Sequence, residues 1–329
     1  MIIGPMTEIS RPTSPASPAS LAGAVRLTDW GVMRAQGEES AKFLHTQLTQ
    51  DLALQTPEQA RLAGYCSPKG RLLATMVALK PDDQSVLLAL PADVLPATLK
   101  RLSMFVMRAK CKLTDASAEW AAWGLAGEPA AAWLGASAPA QAWQVGRFTT
   151  ADGQEALVTR LPDDGRLPRF LLLQAAAAPA PALPALDLAD WQGLDVRAGL
   201  AWVRGATVEQ FVPQMINLEL VGGVNFQKGC YPGQEVVARS QYRGTIKRRA
   251  QPFTVADGAR PQLAQEIFHS ADPGQPAGLV AAVGRSDGQD VLLAEVKLAA
   301  LEGGSLHLGS AEGPALSHLP LPYIIGEPQ

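Results

Sequence analysis

A cysteine in a glycine-rich turn is the strongest candidate for chemistry in this chain. Cys230 follows Lys228 by two residues, and Gly229 and Gly233 stand on either side of it. A thiol beside an ammonium group is partly thiolate near neutral pH, and the thiolate is the form that attacks electrophiles and binds metals. Most free cysteines are instead small, buried apolar residues. Two glycines and a lysine are typical of a tight polar turn, so the sequence favours an exposed, reactive Cys230.

A short helix is predicted to follow this turn. Pro232 suits a first helical turn, and Gln234 and Glu235 are early helical residues. Gly244 would end the helix. The pattern therefore places Cys230 at a helix N-terminus, which is a second feature that favours the thiolate.

The residues around the turn are mostly basic. Six basic residues lie between positions 228 and 249: Lys228, Arg239, Arg243, Lys247, Arg248 and Arg249. Glu235 is the one acidic residue among them. A charge run of this kind is usually a solvated face, but beside a reactive turn it could also hold phosphates, an RNA backbone or a polyglutamate tail.

Composition excludes several classes of protein. The chain has 329 residues with 47% apolar and 18% charged residues, which is typical of a globular protein with two or three domains. Its net charge of -3 gives no general preference for nucleic acid or membranes, and the absence of a long apolar run predicts no transmembrane helix. Cys66, Cys111 and Cys230 are too far apart for a disulfide framework or a Cys-x-x-Cys metal site, and the histidines show no ligand spacing. We therefore expect a cytoplasmic protein without a metal site or a membrane partner.

The secondary structure that must position the Cys230 turn is predicted to be mixed helix and strand before residue 250 and short strands after it. Strands are predicted at residues 25–35, 72–79 and 86–90, and helices after residue 37, at 91–107 and after a cap at Asp187 or Asp190. This order is typical of an α+β layer. The sequence pattern of residues 115–147 does not distinguish a helix from a strand. After residue 250, short apolar runs alternate with glycine turns, which predicts a small antiparallel barrel or sandwich.

Several motifs resemble those of one family. The eight residues Lys228-Gly229-Cys230-Tyr231-Pro232-Gly233-Gln234-Glu235 are similar to the signature of the YgfZ family of folate-binding proteins. Further matches follow in the family's order at residues 43–51, 66–71, 211–218, 237–239, 242–244 and 319–323. A run of eight residues of mixed chemistry is far more specific than a lone glycine motif.

The resemblance implies a fold and a division into domains. YgfZ-like proteins are similar in fold to the T-protein of the glycine cleavage system, a tetrahydrofolate-dependent aminomethyltransferase. The implied class is α+β, a tripartite T-protein-like fold with ferredoxin-like α/β layers and a C-terminal antiparallel β-barrel around a central opening. We expect a disordered tail at residues 1–22, a folate-binding α+β region of two subdomains at 23–250, and the barrel domain at 251–329.

The resemblance also implies a folate site. The family's folate contacts are associated with two tryptophans, which match Trp30 and Trp191 here. An indole face can stack on a pterin, although core packing is the usual role of tryptophan, and the residues leave both interpretations open.

Two departures from the aminomethyltransferases stand out. Residues 71–75 lack their acidic pair, and Arg197 replaces the glutamate that holds the pterin, so Arg197 is expected to contact the folate's carbonyl or its glutamate tail.

Three functions follow as hypotheses. The first is a folate-binding accessory protein that supports assembly or repair of iron–sulfur clusters, and thereby tRNA modification. It would use tetrahydrofolate and have iron–sulfur enzymes, cluster-assembly proteins and tRNA as partners. Cys230 would be its reactive residue, with Lys228 and the signature residues Gly229, Tyr231, Gly233, Gln234 and Glu235 around it. The second is a folate-dependent one-carbon transferase for a small amine or tRNA, against which the missing acidic pair argues. The third is a non-catalytic binding module in which Cys230 is structural.

Overall fold

A computed structural model describes residues 21–242, 246–256 and 258–326 of the protein. Most of the expected tail lies outside these residues, as do Gly244, the predicted helix end, and Arg243 of the basic run. The described part begins at Leu21, which is buried in the central core.

The first sheet is antiparallel and has five strands. In the order in which they pair, they are β1 (Gly23–Arg26), β7 (Trp120–Ala126), β10 (Arg169–Ala175), β9 (Glu155–Arg160) and β8 (Val145–Thr149). Helix α3 (Glu128–Leu134) packs on its outer face. Successive side chains of β10 alternate between faces: Phe170 packs outward with α3, whereas Leu171 enters the central core.

The second sheet is built in the same way. Its antiparallel strands pair in the order β3 (Arg61–Cys66), β4 (Leu72–Asp82), β5 (Ser85–Pro91), β2 (Trp30–Gln36) and β6 (Lys112–Asp115). Helices α1 (Ser40–His45) and α2 (Leu95–Val106) cover one face. Leu88 of β5 lies under these helices, and Leu87 points into the central core. Both sheets therefore turn one face towards a shared interior.

The third sheet has six strands and nearly closes into a barrel. Its antiparallel strands pair in the order β15 (Leu306–Leu308), β12 (Glu266–His269), β13 (Asp272–Ser286), β14 (Gln289–Lys297), β11 (Arg248–Val255) and β16 (Leu316–His318). A bridge between His307 and Ala315 links its two edges. The predicted boundary at residue 250 falls within β11, and the division into domains remains a proposal.

Helix α4 (Leu188–Arg197) connects the first sheet to the barrel. Asp187 caps it by accepting a hydrogen bond from the Ala189 amide at 2.8 Å, and so is the one of the two predicted caps that is used. At Gly193 the helix backbone touches β13 so closely that a Cβ atom would lie 1.8 Å from the Arg285 carbonyl oxygen. This contact fixes the helix against the barrel, and a cavity opens beside it. No described helix combines the length and the hydropathy that crossing a membrane requires.

Candidate functional site

The signature turn, here called the thiol turn and comprising residues 228–233, leaves Cys230 exposed. Helix α5 (Gln234–Tyr242) begins four residues after the cysteine. Gly233 intervenes in the left-handed region, with a φ of +78°, so the helix cannot start at Pro232. The expected place of Cys230 at a helix N-terminus is therefore wrong, because the field of a helix end fades within its first turn.

Two sequence motifs meet at the base of the thiol turn. A Cβ atom at Gly233 would lie 2.4 Å from the carbonyl oxygen of Ser67 and 2.7 Å from the amide nitrogen of Gly70. Gly70 also has a positive φ of +71°, and a Cβ there would lie 2.8 Å from the Cβ of Val236. The two glycine turns thus pack backbone against backbone, which explains why both need glycine.

Lys228 turns inward beneath the thiol. Its side chain is buried, and its Nζ donates to the carbonyl oxygens of Leu48 at 3.0 Å and Gly229 at 3.2 Å. The ammonium also lies 4.7 Å from the ring centroid of Tyr231. Burial lowers the pKa of Lys228 to about 8, although the nearby charges of Asp51 and Cys230 act to raise it. Lys228 can therefore change its charge near physiological pH.

A histidine and an aspartate also lie beside the turn. Nδ1 of His45 is 3.0 Å from Oδ1 of Asp51, which also accepts the Leu54 amide at 3.0 Å. Burial acts to raise the pKa of Asp51, but the Leu54 amide and the charge of His45 bring it below its usual value. Nε2 of His45 would be 3.7 Å from a Cβ atom at Gly229. The imidazole of His45 therefore lies beside the backbone of Gly229, the residue before Cys230.

The other motifs hold the thiol turn in place. Thr49 donates its hydroxyl to the Gly223 carbonyl at 2.6 Å, just before the turn. The buried amide of Gln214 donates to the Val237 carbonyl in α5 at 2.8 Å. Residues 43–51 and 211–218 therefore position the chain before and after Cys230.

The basic run is not a free cationic patch. Arg249 is buried and forms an ion pair with Glu219, and Arg248 is paired with Glu295. Lys247 is exposed. The interpretation of the whole run as a polyanion site is therefore wrong for its two C-terminal arginines, since their charges are already neutralised.

A second candidate site is a cavity of about 180 Å³, here called the central cavity, between α4 and the barrel. Its lining residues are Asp93, Gln192, Asp195, Trp202, Arg204, Leu263, Ala281, Ala282 and Val283. Asp93 also lines a neighbouring, mainly apolar space of about 320 Å³ along α2, here called the α2 groove. Asp93 thus forms part of the wall of both spaces, and the α2 groove alone reaches the size of a small-molecule site.

A buried ionic network forms one wall of the central cavity. Asp195 accepts hydrogen bonds from Nη2 of Arg169 at 2.6 Å and from Nε1 of Trp202 at 3.1 Å. Burial raises the pKa of Asp195, against the opposing charge of Arg169. Nη1 of Arg169 has no hydrogen-bond partner among the described residues. On the same wall, Arg204 is fixed by an ion pair with Asp29 at 2.7 Å.

The two predicted tryptophans lie on either side of this network. Trp30 is half-buried and packs edge-to-face with Trp202, with ring centroids 4.8 Å apart. Trp191 is 2% exposed and lies between Gly124 and the guanidinium of Arg169. As the chain is folded, Trp191 has no free face for stacking, which favours the core-packing interpretation.

Arg197 faces a different part of the molecule. Its Nε donates to Asp164 at 2.7 Å, and it lines a separate cavity of about 120 Å³ with residues 319–322. Arg197 is not among the residues of the central cavity. Its predicted contact with the same ligand as Trp30 therefore has no support in this arrangement.

Sequence reasoning missed the polar wall of the central cavity. Asp195 follows Trp191 by one helical turn, so the two could have been assigned to one face of α4. Asp93 and Arg204 carry no such signal, because they come from separate loops that only the fold brings together. Among residues 21–242, 246–256 and 258–326, no cluster of three histidine, cysteine or carboxylate side chains has the geometry of a metal site.

Comparisons with known proteins give one close relationship and one similarity of fold. A tRNA-modifying protein YgfZ from Sodalis glossinidius is 30% identical over 319 residues, which cover 92% of this chain and 93% of that protein. The crystal structure of glycine cleavage system aminomethyltransferase T from Bartonella henselae superposes with a TM-score of 0.70 at 19% identity, covering 93% of this chain and 87% of that one. The latter shows the T-protein-like α+β fold predicted from the sequence. No protein-family model matches the chain.

Proposed function

The chain belongs to the YgfZ family, and on this premise we propose that it is a folate-binding accessory protein of the cytoplasm. In this role it supports assembly or repair of iron–sulfur clusters and, through the enzymes that contain them, tRNA modification. The similarity to a tRNA-modifying protein supports the tRNA part of this role. Tetrahydrofolate is the bound cofactor and Cys230 the reactive residue.

The central cavity is the observation that carries the folate proposal. A pterin is flat, with hydrogen-bond donors and acceptors along its edge, so its site needs an aromatic wall and fixed polar groups. Trp202, supported by Trp30, supplies the wall. Asp195 and Arg204 supply an acceptor and a donor that other ion pairs already hold in place. The residues present therefore fit the group.

The α2 groove suits the rest of a folate. The p-aminobenzoyl ring needs an apolar surface, and Leu73, Val94 and Val208 line the groove. The glutamate tail needs cations, and Lys100 and Arg101 lie along the same groove. This replaces Arg197 as the expected partner of the tail.

Cys230 gives the protein a link to iron–sulfur chemistry. An exposed thiolate can supply a single ligand to a cluster, whereas full ligation takes about four. Because no metal cluster site is found in the described residues, the cluster would be cargo that Cys230 contacts while a partner protein supplies the remaining ligands.

A one-carbon transferase remains the second candidate, and one residue favours it. Although β4 lacks the acidic pair, the Asp93 carboxylate stands in the wall of the central cavity. Single-turnover transfer from a methylene-folate that is lost on Asp93→Asn would favour this alternative over an accessory role.

Tryptophan fluorescence during a titration with tetrahydrofolate tests the proposal. We expect saturable quenching in the wild type and a weaker response in Trp202→Phe and Trp30→Phe. Trp133→Phe is the matched control, because that ring packs against Phe148 on the outer face of the first sheet. Equal quenching in all three variants would contradict a folate in the central cavity.

A further inference from the structure

An exposed aromatic ring lies at the end of the segment that carries Cys230. Tyr242 is the last residue of α5 and the first residue of one of the motifs that resemble the family, yet it is 62% exposed, so the packing of the fold does not account for it. We propose that Tyr242 and Phe226 form a stacking platform for an unpaired nucleotide of single-stranded RNA. The inference rests on the proposed function insofar as tRNA supplies that RNA, and it adds the site at which a base would bind.

The ring of Tyr242 is held in place but keeps a free face. Its centroid lies 5.9 Å from that of Phe226, and the two planes meet edge to face at 70°. In an edge-to-face pair one ring presents its edge to the other, so Phe226 covers at most one face of Tyr242. Phe226 itself packs against the central core, and the amide just before it, that of Asn225, donates to the Thr49 carbonyl oxygen at 2.9 Å. The stacking platform is therefore anchored from below.

The stacking platform joins the two ends of the segment that contains the thiol. Phe226 precedes Cys230 by four residues and Tyr242 follows it by twelve, so the contact between the two rings closes a loop made of the thiol turn and α5. Four residues span at most about 14 Å even when fully extended. The exposed thiol of Cys230 therefore lies close to the platform along the same loop.

Cations lie along α5 beside the stacking platform. Arg239 is one helical turn before Tyr242, and its ion pair with Glu235 is exposed and so contributes little, which lets a phosphate replace the carboxylate. Lys247 is exposed and lines a cavity together with the last turn of α5. Lys69 is exposed in the turn that packs against the first residues of the helix. Against these three cations α5 carries one carboxylate, a charge balance that suits a phosphate backbone.

The neighbours of Tyr242 favour RNA over a protein as the ligand. The core of a protein–protein interface is apolar and depleted of charged residues, whereas Tyr242 follows Arg239, Ser240 and Gln241 in the same helical turn. Proteins bind single-stranded nucleic acid with an exposed aromatic face among cations, because every base has a π face and every nucleotide carries a phosphate. The surface around Tyr242 has both of these features.

Equilibrium binding of a labelled, single-stranded oligouridylate tests the platform. We expect Tyr242→Leu, which keeps an apolar contact with Phe226 but loses the π face, to weaken binding by about tenfold. The log-log salt slope should not change, because stacking releases no counterions. Tyr242→Phe keeps the ring and should bind as the wild type does. Phe105→Leu is the matched control, because it removes an exposed aromatic ring from α2 and should also bind normally.

An RNA duplex of the same length is the second probe, since its bases are already stacked on one another. Tyr242→Leu should bind this duplex as the wild type does, which also shows that the variant is folded. The proposal would be overturned if the wild type did not bind the single strand, if Tyr242→Leu bound it as tightly as the wild type, or if Tyr242→Phe lost as much affinity as Tyr242→Leu. Equal weakening of single-strand and duplex binding by Tyr242→Leu would overturn it too.

Failure of this inference and failure of the proposed function are distinguishable. The proposed function is tested by folate quenching and by the effect of Cys230→Ala on tRNA modification, and neither measurement involves Tyr242. A protein without the stacking platform could still support cluster enzymes through Cys230. Conversely, stacking of RNA on Tyr242 would be measurable in a protein that binds no folate.

Discussion

The thiol turn and the central cavity are built on opposite plans. The turn presents Cys230 to solvent beside Lys228, an ammonium whose charge can change near neutral pH. The cavity is walled by a buried ion pair, Arg169–Asp195, that is already hydrogen-bonded to Trp202. The first plan suits a reaction and the second suits rigid recognition of a ligand. We therefore expect that each region can be disabled without disabling the other.

The largest expected effect comes from removing the thiol. Cys230→Ala should abolish support of tRNA modification, because no other described cysteine is exposed. The same variant should bind tetrahydrofolate as the wild type does. The measurement is the level of modified tRNA in cells that depend on this protein, together with a folate titration of the purified variant.

Cys111→Ala provides the matched control, since Cys111 is a half-buried thiol outside both regions. It should support tRNA modification normally. If Cys230→Ala also lost folate binding, the two regions would not be separable.

The second prediction concerns stability and should separate the two plans. Asp195→Ala leaves the buried Arg169 guanidinium without its carboxylate and Trp202 without its acceptor. Breaking a buried ion pair in this way costs about 3–5 kcal/mol of unfolding free energy. Lys228→Met should cost much less, because burial already disfavours the ammonium. Urea denaturation measures the unfolding free energy of both variants. If Asp195→Ala and Lys228→Met lost equal amounts, the expected difference between the rigid cavity wall and the thiol turn would be contradicted.

These outcomes bear on what the sequence could predict. The signature is continuous in the chain, so an exposed Cys230 beside Lys228 could be expected from the eight residues themselves. The left-handed turn at Gly233 could not be expected, because it is required by contact with Gly70 more than 160 positions earlier in the chain. The fold class and the barrel followed from the family resemblance and from the turn spacing after residue 250.

The central cavity was harder to predict, because its wall is assembled from distant segments. Asp93, Asp195 and Arg204 are ordinary charged residues in the sequence, and only α4 lying against β13 gives them a common site. The same packing buries both Trp191 and Trp202, but only Trp202, which no motif marked, is among the residues that line the cavity. Burial of a single aromatic ring depends on tertiary contacts that local patterns do not encode.

The third prediction concerns the effect of the Lys228 charge on the reactivity of Cys230. Its pKa of about 8 means that the ammonium is present below pH 8 and is lost above it. Compared with Lys228→Met, the wild type should therefore alkylate Cys230 faster below pH 8, by roughly fivefold or less for a partly solvated charge. The ratio should fall towards one as the pH rises past 8. A ratio that stays constant from pH 6 to 9.5 would show that Lys228 acts on the thiol without its charge.

The smallest expected effect concerns tRNA and the surface beside the thiol turn. Arg248 and Arg249 are already paired with Glu295 and Glu219. Lys69 and Lys247 are exposed lysines on this side that form no ion pair with any residue the structure describes. Each phosphate contact contributes about 0.7 to 0.9 to the log-log salt slope of binding. If tRNA docks on this side, Lys69→Gln and Lys247→Gln should each lower the slope by about that amount.

Lys112→Gln is the control for this measurement, because Lys112 is an exposed lysine on β6 of the second sheet. Filter binding to unmodified tRNA across a range of salt concentrations gives the three slopes. Arg249→Met should weaken binding only through loss of folded protein, because it breaks the buried pair with Glu219. If Lys112→Gln lowered the slope as much as the other two variants, tRNA would bind through general charge and not through the face that presents Cys230. Cys230 would then lie away from the bound RNA, and support of tRNA modification by this thiol would not require direct contact between the two.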